Sequence, residues 1–284
     1  LHDQRCESHA HLVDEQHPRF LDQRPADGEH LLLAARERAG AQERVEIEFG
    51  RGAPRRGSRR RPLELEQDRG NFRVLGIELH HLAVALNGSA DIGLRLHIDD
   101  VLGLVEAEEL RDIVLMGHSY AGMVITGVAD ALLAKGPGHL RQLIYVDAMV
   151  PLDGEAWGSQ HASQVRADRV ALAQASDMAL PPGDPAAFGL QGEDREWLLR
   201  RQVPHPFGPY GEELHFDAER MAQVSRSFID CTAPAYPTIA PMRKRVRELP
   251  GWRVHEMATG HCPMVSQPAE LVALMLSEMA LQAD

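Results

Sequence analysis

The sequence predicts an α/β fold: a mostly parallel sheet flanked by helices, with an inserted cap. Three observations carry this. The apolar run 113–116 leads straight into Gly117-His118-Ser119-Tyr120-Ala121-Gly122 and then a second apolar segment, the order of strand, tight turn and helix. From about residue 79 onward, short apolar runs alternate with helix-length segments, as in parallel strands joined by helical crossovers. Residues 149–225 break that alternation with Pro, Gly and charge, as expected of an insertion over the carboxyl edge of the sheet, where such sheets bind ligands.

Taken in order, 91–108 reads as an amphipathic helix, with Leu96, Val101, Leu102 and Val105 at helical spacing. The strand 113–116, the turn and a helix over 123–135 follow, ended by Gly136-Pro137-Gly138. Residues 140–148 hold the continuous run Leu143-Ile144-Tyr145-Val146, the pattern of a buried strand. Within the cap, 165–174 and 194–201 are helix-like. Beyond it, 227–231 and 252–257 read as short strands, and 241–249 and 268–281 as helices.

The 284 residues suit one large domain, and 44% hydrophobic residues are enough for a sizeable core. A net charge of −12 argues against nucleic acid as a partner. Three cysteines, Cys6, Cys231 and Cys262, form no disulfide framework and suit a reducing compartment. No apolar run has the length of a membrane span, and the first residues lack a signal-peptide layout, so no membrane partner and a cytoplasmic address are expected.

Residues 1–78 have weak periodicity and are expected to form an atypical, poorly ordered region, with short pieces at 28–39 and 44–49. The six arginines Arg51, Arg55, Arg56, Arg59, Arg60 and Arg61 read as a solvated linker, since no aromatic residue lies among them to stack on bases. His2, Cys6, His9 and His11 match no zinc spacing, so no metal is expected. The chain opens on Leu1, which leaves a processed start, a non-standard start codon and a misplaced reading frame equally open.

The chemistry centres on Ser119. A serine at the apex of a strained strand–turn–helix has its hydroxyl lifted clear of the backbone, and the start of the following helix faces any negative charge that develops beside it. Such a serine is a nucleophile if a histidine takes its proton. His261, in Met257-Ala258-Thr259-Gly260-His261-Cys262-Pro263, lies just past a predicted strand on a glycine-containing loop and is the candidate base. His118, beside the serine, is expected to pack or to shape the pocket.

With these residues in hand, the segments 112–125, 143–151, 205–207 and 252–265 resemble the α/β-hydrolase superfamily, in particular its methylesterase and hydroxynitrile lyase-like branch and the bacterial relatives of that branch. The likeness covers 79–284, with the cap at about 149–225. It implies an α/β-hydrolase fold and a catalytic triad in the order serine, acid, histidine. It also implies a serine hydrolase of esterase type acting on a small or medium carboxylic ester, with no cofactor. A hydroxynitrile lyase-like activity uses similar residues.

Two departures stand out. Where the family places its acid, about three residues past the counterpart of Cys231, this chain has Pro234, and Asp230 sits inside a strand. Asp147, at the end of the preceding strand, is the alternative. Haloalkane dehalogenases take their acid from that strand end, so Asp147 is expected to orient His261. The backbone N–H of Tyr120 is the expected oxyanion donor. The second donor should come from a His-Gly loop after an early strand, and neither loop nor early strands are recognisable in 1–78. That gap keeps open a catalytically inactive, mis-started or frame-shifted α/β-hydrolase-like protein. The cap aromatics Trp157, Phe188, Trp197 and Phe207 are expected to supply an apolar pocket or the cap's own core.

Overall fold

The computed structural model describes the backbone of residues 47–49 and 73–77 and the whole of residues 92–281. The expected piece at 28–39, the arginine cluster and the set His2, Cys6, His9 and His11 lie outside the described residues.

Six strands form the main sheet: β1 (Ile47–Phe49), β2 (Arg73–Ile77), β3 (Ile113–His118), β4 (Leu140–Val146), β5 (Ser225–Cys231) and β6 (Trp252–Met257). They lie side by side in chain order, and every neighbouring pair is parallel. The helices are α1 (Leu94–Ala107), α2 (Ala121–Ala134), α3 (Ser163–Ala175), α4 (Gly192–Leu199), α5 (Ala218–Met221), α6 (Ala240–Glu248), α7 (Pro263–Ser266) and α8 (Pro268–Ala280). Each element foreseen from 91 onward is present, within a few residues at its ends.

The strand order explains the layering. Right-handed crossovers that always advance in one direction place their helices on one face of a parallel sheet. Accordingly α1, α2 and α6 share a core with Ile113, Leu115, Leu143, Tyr145 and Phe228. The alternate residues Val114, Met116, Ile144, Val146 and Ile229 face the other way and meet Leu271, Met275 and Met279 of α8. Strand periodicity thus divides one continuous apolar run between two cores, which is why the sequence shows no polar alternation there.

β1 and β2 precede residue 79; β1 falls within the short piece expected at 44–49, and β2 was not foreseen. At three and five residues they are too short to stand out by periodicity, and Arg73 and Gly76 dilute the apolar pattern of β2. Their place rests on backbone pairing: β1 lies along β2, and β2 along β3 from Arg73 opposite Ile113 to Ile77 opposite Gly117.

The cap rises between β4 and β5. It carries α3, α4, α5 and two short antiparallel pairings, Glu155–Ala156 with Glu213–Leu214 and Ala179–Leu180 with His205–Pro206. No helix among the described residues is long and apolar enough to cross a membrane.

α8 is also held by a buried polar knot. The Glu278 carboxylate, with no exposed surface, receives Arg253 Nε at 2.8 Å, stands 2.7 Å from His255 Nε2, and bonds Ser227 Oγ of β5. Gln142 of β4 donates to both Ser227 Oγ, at 3.1 Å, and Glu278, at 3.4 Å. One helix residue therefore engages three strands. Glu278→Ala should lower the unfolding free energy by about 3 kcal/mol, because it strands the partners of a buried charge. Urea denaturation measures this, and a loss below about 1 kcal/mol, the worth of an exposed pair, would show that the knot does not act as a unit.

Candidate active site

Ser119 is the first residue past β3, separated from the start of α2 at Ala121 by Tyr120 alone. Its φ is +55°, in the left-handed region that non-glycine residues rarely occupy, so the turn holds strain. Neighbouring backbone secures it: Ser119 N–H donates to Val146 O at 3.3 Å, and Met149 N–H donates to Ser119 O at 2.9 Å. Close approach is needed at Gly122, where an added Cβ would sit 1.9 Å from Met149 O. Ala121, one position earlier, keeps its methyl in the core.

Asp147 immediately follows β4, with φ +40° and its N–H donating to Ile229 O at 2.8 Å. The 147–149 turn therefore touches the serine turn on one side and β5 on the other. His261 lies on the loop between β6 and α7. Its N–H donates to Phe188 O at 2.9 Å, and the adjacent Gly260 is so close that a Cβ would lie 2.2 Å from the same oxygen. His118 Nε2–H donates to His261 O at 2.7 Å, so the residue beside the serine anchors the histidine loop.

The structure brings the three sequence-predicted residues together. His261 Nε2 stands 3.0 Å from Ser119 Oγ, and His261 Nδ1 stands 2.7 Å from Asp147 Oδ2. His261 and Asp147 are buried, and Ser119 is partly open. The geometry is that of a nucleophile, a base and an orienting acid. Tyr120 sits at the start of α2, where the first N–H groups have no acceptor within the helix. Residues 1–78, where the second donor was expected, lie almost wholly outside the described residues.

Burial pushes the Asp147 carboxyl up to about 6, against the lowering charges of Arg243 and His118 and alongside the raising charge of Asp230. Arg243 of α6 donates from Nη2 to Asp147 Oδ1 at 2.6 Å and from Nε to Asp230 Oδ1 at 2.5 Å. Asp230, inside β5, is thus turned to α6 and away from His261, as its strand position suggested. Arg243 was missed in the sequence, where it is one of four cations in a row of ordinary helix residues.

Aromatic rings close around the site. Tyr236 lies 4.4 Å and Phe188 5.5 Å from the His261 ring, centroid to centroid. Tyr120 packs on Trp157 and His205, each at 4.9 Å, and its hydroxyl lies 3.1 Å from His97 Nδ1. Burial pulls His97 down to about 4, which keeps it neutral. Of the four cap aromatics, Trp157 and Phe188 border the site. Phe207 stacks on Tyr210 at 5.1 Å, and Trp197 packs in a cap core with Leu190, Leu198 and Cys262. His97 and Tyr236 carried no sequence signal, since single aromatic or histidine residues have no period, and His205 entered only through the segment 205–207 of the resemblance. Among the described residues no group of three or more His, Cys, Asp or Glu could hold a metal ion.

Comparisons with known proteins bear on the family and the fold. The family model of the "Alpha/beta hydrolase family" matches residues 50–274. The chain is 35% identical over 190 residues to the "Carbendazim hydrolyzing esterase" of Nocardioides sp. (strain SG-4G), covering 64% of this chain and 77% of that protein. Among solved structures, an extracellular alpha/beta-hydrolase from a Paenibacillus species superposes with a TM-score of 0.59 at 20% identity, over 68% of this chain and 82% of that one. Tomato methylketone synthase I does so with a TM-score of 0.53 at 16% identity, over 75% and 98%. At those identities the two structures speak for the fold.

Gly122→Ala should force the 147–149 turn off the serine turn. Overpacking of this kind costs about 1–3 kcal/mol, so the thermal midpoint should fall by several degrees. An unchanged midpoint in a scanning melt would mean that the close approach is not a constraint.

Proposed function

Since the chain belongs to the alpha/beta hydrolase family, we propose that it is a serine esterase that cleaves a small or medium carboxylic ester through an acyl-enzyme. The observation that carries this reading is the unbroken line from Ser119 Oγ to His261 Nε2, at 3.0 Å, and from His261 Nδ1 to Asp147 Oδ2, at 2.7 Å. Ser119 Oγ attacks the ester carbonyl while His261 Nε2 takes its proton. The imidazolium formed is stabilised by the Asp147 carboxylate, which also fixes the tautomer that leaves Nε2 free to accept. Tyr120 N–H, at the positive end of α2, donates to the developing oxyanion. His261 then returns the proton to the departing alcohol, and water repeats the sequence to release the acid. The reading needs no metal or organic cofactor.

Support for an ester comes from the similarity to the Nocardioides esterase and from the setting of the serine. Trp157 of the cap lies against Tyr120, the residue after the nucleophile, and Phe188 lies against His261. A substrate entering from the cap side would meet these aromatic walls beside the partly exposed Ser119 hydroxyl.

A fluorophosphonate probe tests the reading directly. It should label the purified chain, and Ser119→Ala should abolish labelling. A folded chain that takes no label would overturn the reading and leave an inactive α/β-hydrolase-like protein. Asp147→Asn should lower kcat for p-nitrophenyl acetate by about 10⁴-fold, since the histidine then takes the wrong tautomer.

The acid limb of the pH profile has a definite direction. With its carboxyl raised from 3.8 to about 6, Asp147 is ionised only above that value, so kcat/KM should climb as pH rises through about 6. The limb belongs to the Asp147–His261 pair and not to one residue. Stability runs the opposite way. Between those two values the folded chain binds more protons than the unfolded one, so this group's contribution falls as pH rises through the window. A flat rate between pH 5 and 7 would count against Asp147 as the acid.

A further inference from the structure

We infer that Arg243 is a positioning residue for the acid: it holds Asp147 in place and in its ionised form by spanning the strand ends of β4 and β5. The inference rests on reading Ser119, His261 and Asp147 as a triad and adds a fourth member that touches neither substrate nor the reacting atoms.

All three nitrogens of this guanidinium donate, through four of its five N–H groups. Nη2 donates to Asp147 Oδ1 at 2.6 Å and to Cys231 O at 3.2 Å, Nη1 to Tyr236 O at 2.7 Å, and Nε to Asp230 Oδ1 at 2.5 Å. The two Asp147 oxygens are thereby divided, one for Arg243 and the other for His261 Nδ1. Meeting both partners fixes the plane of the carboxylate. The other Asp230 oxygen receives Arg247 Nη2 at 2.7 Å, so charge alternates along Arg247, Asp230, Arg243 and Asp147 up to the imidazole.

The groups facing Asp147 are His118 from β3, Asp230 and Cys231 from β5, Arg243 from α6 and His261 from its loop. Arg243 is the permanent cation in this set. Without it, two buried carboxylates on adjacent strand ends would face each other with no charge between them, and one of them would take up a proton. Burial already favours the protonated form of Asp147, so the loss of Arg243 would tip the acid out of the state that orients His261.

The test is the rate of fluorophosphonate labelling of Ser119 in the full chain as a function of pH, with thermal melts in parallel. Arg243→Gln should move the acid limb up by about one pH unit or more, the size of shift that an adjacent opposite charge produces. Arg243→Lys keeps the charge and should return the limb most of the way. Asp230→Asn removes the competing carboxylate and should move the limb down. Opposite signs for Arg243→Gln and Asp230→Asn support the inference, because a structural tie alone would lower both melting temperatures and leave the limb in place. A limb that stays put in Arg243→Gln while the melt falls overturns it. If Arg243→Gln does not fold, a limb that fails to move down in Asp230→Asn overturns it. Undiminished labelling of Asp147→Asn sinks the acid reading, and the inference with it, and so separates the two failures.

Discussion

The site depends on one close approach, that of the turn after β4 to the turn after β3. Gly122 lies against the Met149 carbonyl, and Met149 N–H reaches back to Ser119 O at 2.9 Å. Through these contacts the backbone that lifts the serine is the same backbone that delivers the acid. The strained φ of Ser119 and the positive φ of Asp147 are held in one hydrogen-bonded unit, so neither relaxes alone. The histidine comes from elsewhere and needs its own supports, Phe188 O on one side and His118 on the other.

Electrostatics sets the second constraint. An acid at the end of β4 is fully enclosed, and enclosure alone would neutralise it. The surroundings answer with Arg243 and, further out, Arg247. A buried ion pair is weak evidence of net stability, because desolvation offsets much of the attraction. Its value here lies in specificity of orientation. The arrangement also joins two strand ends that compete for the same role, since β5, the usual source of the acid in the family that this chain resembles, contributes Asp230 to the support and not to the histidine.

Much of this was legible in the residues. Ser119 is marked by small neighbours between two apolar segments, His261 by a glycine loop past a strand, and Asp147 by the end of the strand after the serine helix. The first two are local signals tied to sequence spacing, whereas the role expected of Asp147 also drew on the resemblance to hydrolases that take their acid from that strand end. Arg243 was not legible, because its contacts are to two carboxylates 96 and 13 positions away, and helix α6 presents Arg243, Lys244, Arg245 and Arg247 as equals. β2 escaped notice, and β1 showed only as the short piece at 44–49, for a different reason. They are held by pairing with β3, a non-local contact that leaves almost no periodic trace in so few residues.

The unequal cover of the sheet bears on how the chain is made. Every strand has been synthesised before α8 emerges, and among the described residues α8 supplies the apolar cover for Val114, Met116, Ile144, Val146 and Ile229. During translation that face waits for its partner while the opposite face is already clothed by α1, α2 and α6. An uncovered, β-rich apolar surface is what makes nascent chains sticky. Synthesis speed and chaperone supply over the stretch from β3 to α8 therefore bear directly on the yield of folded protein.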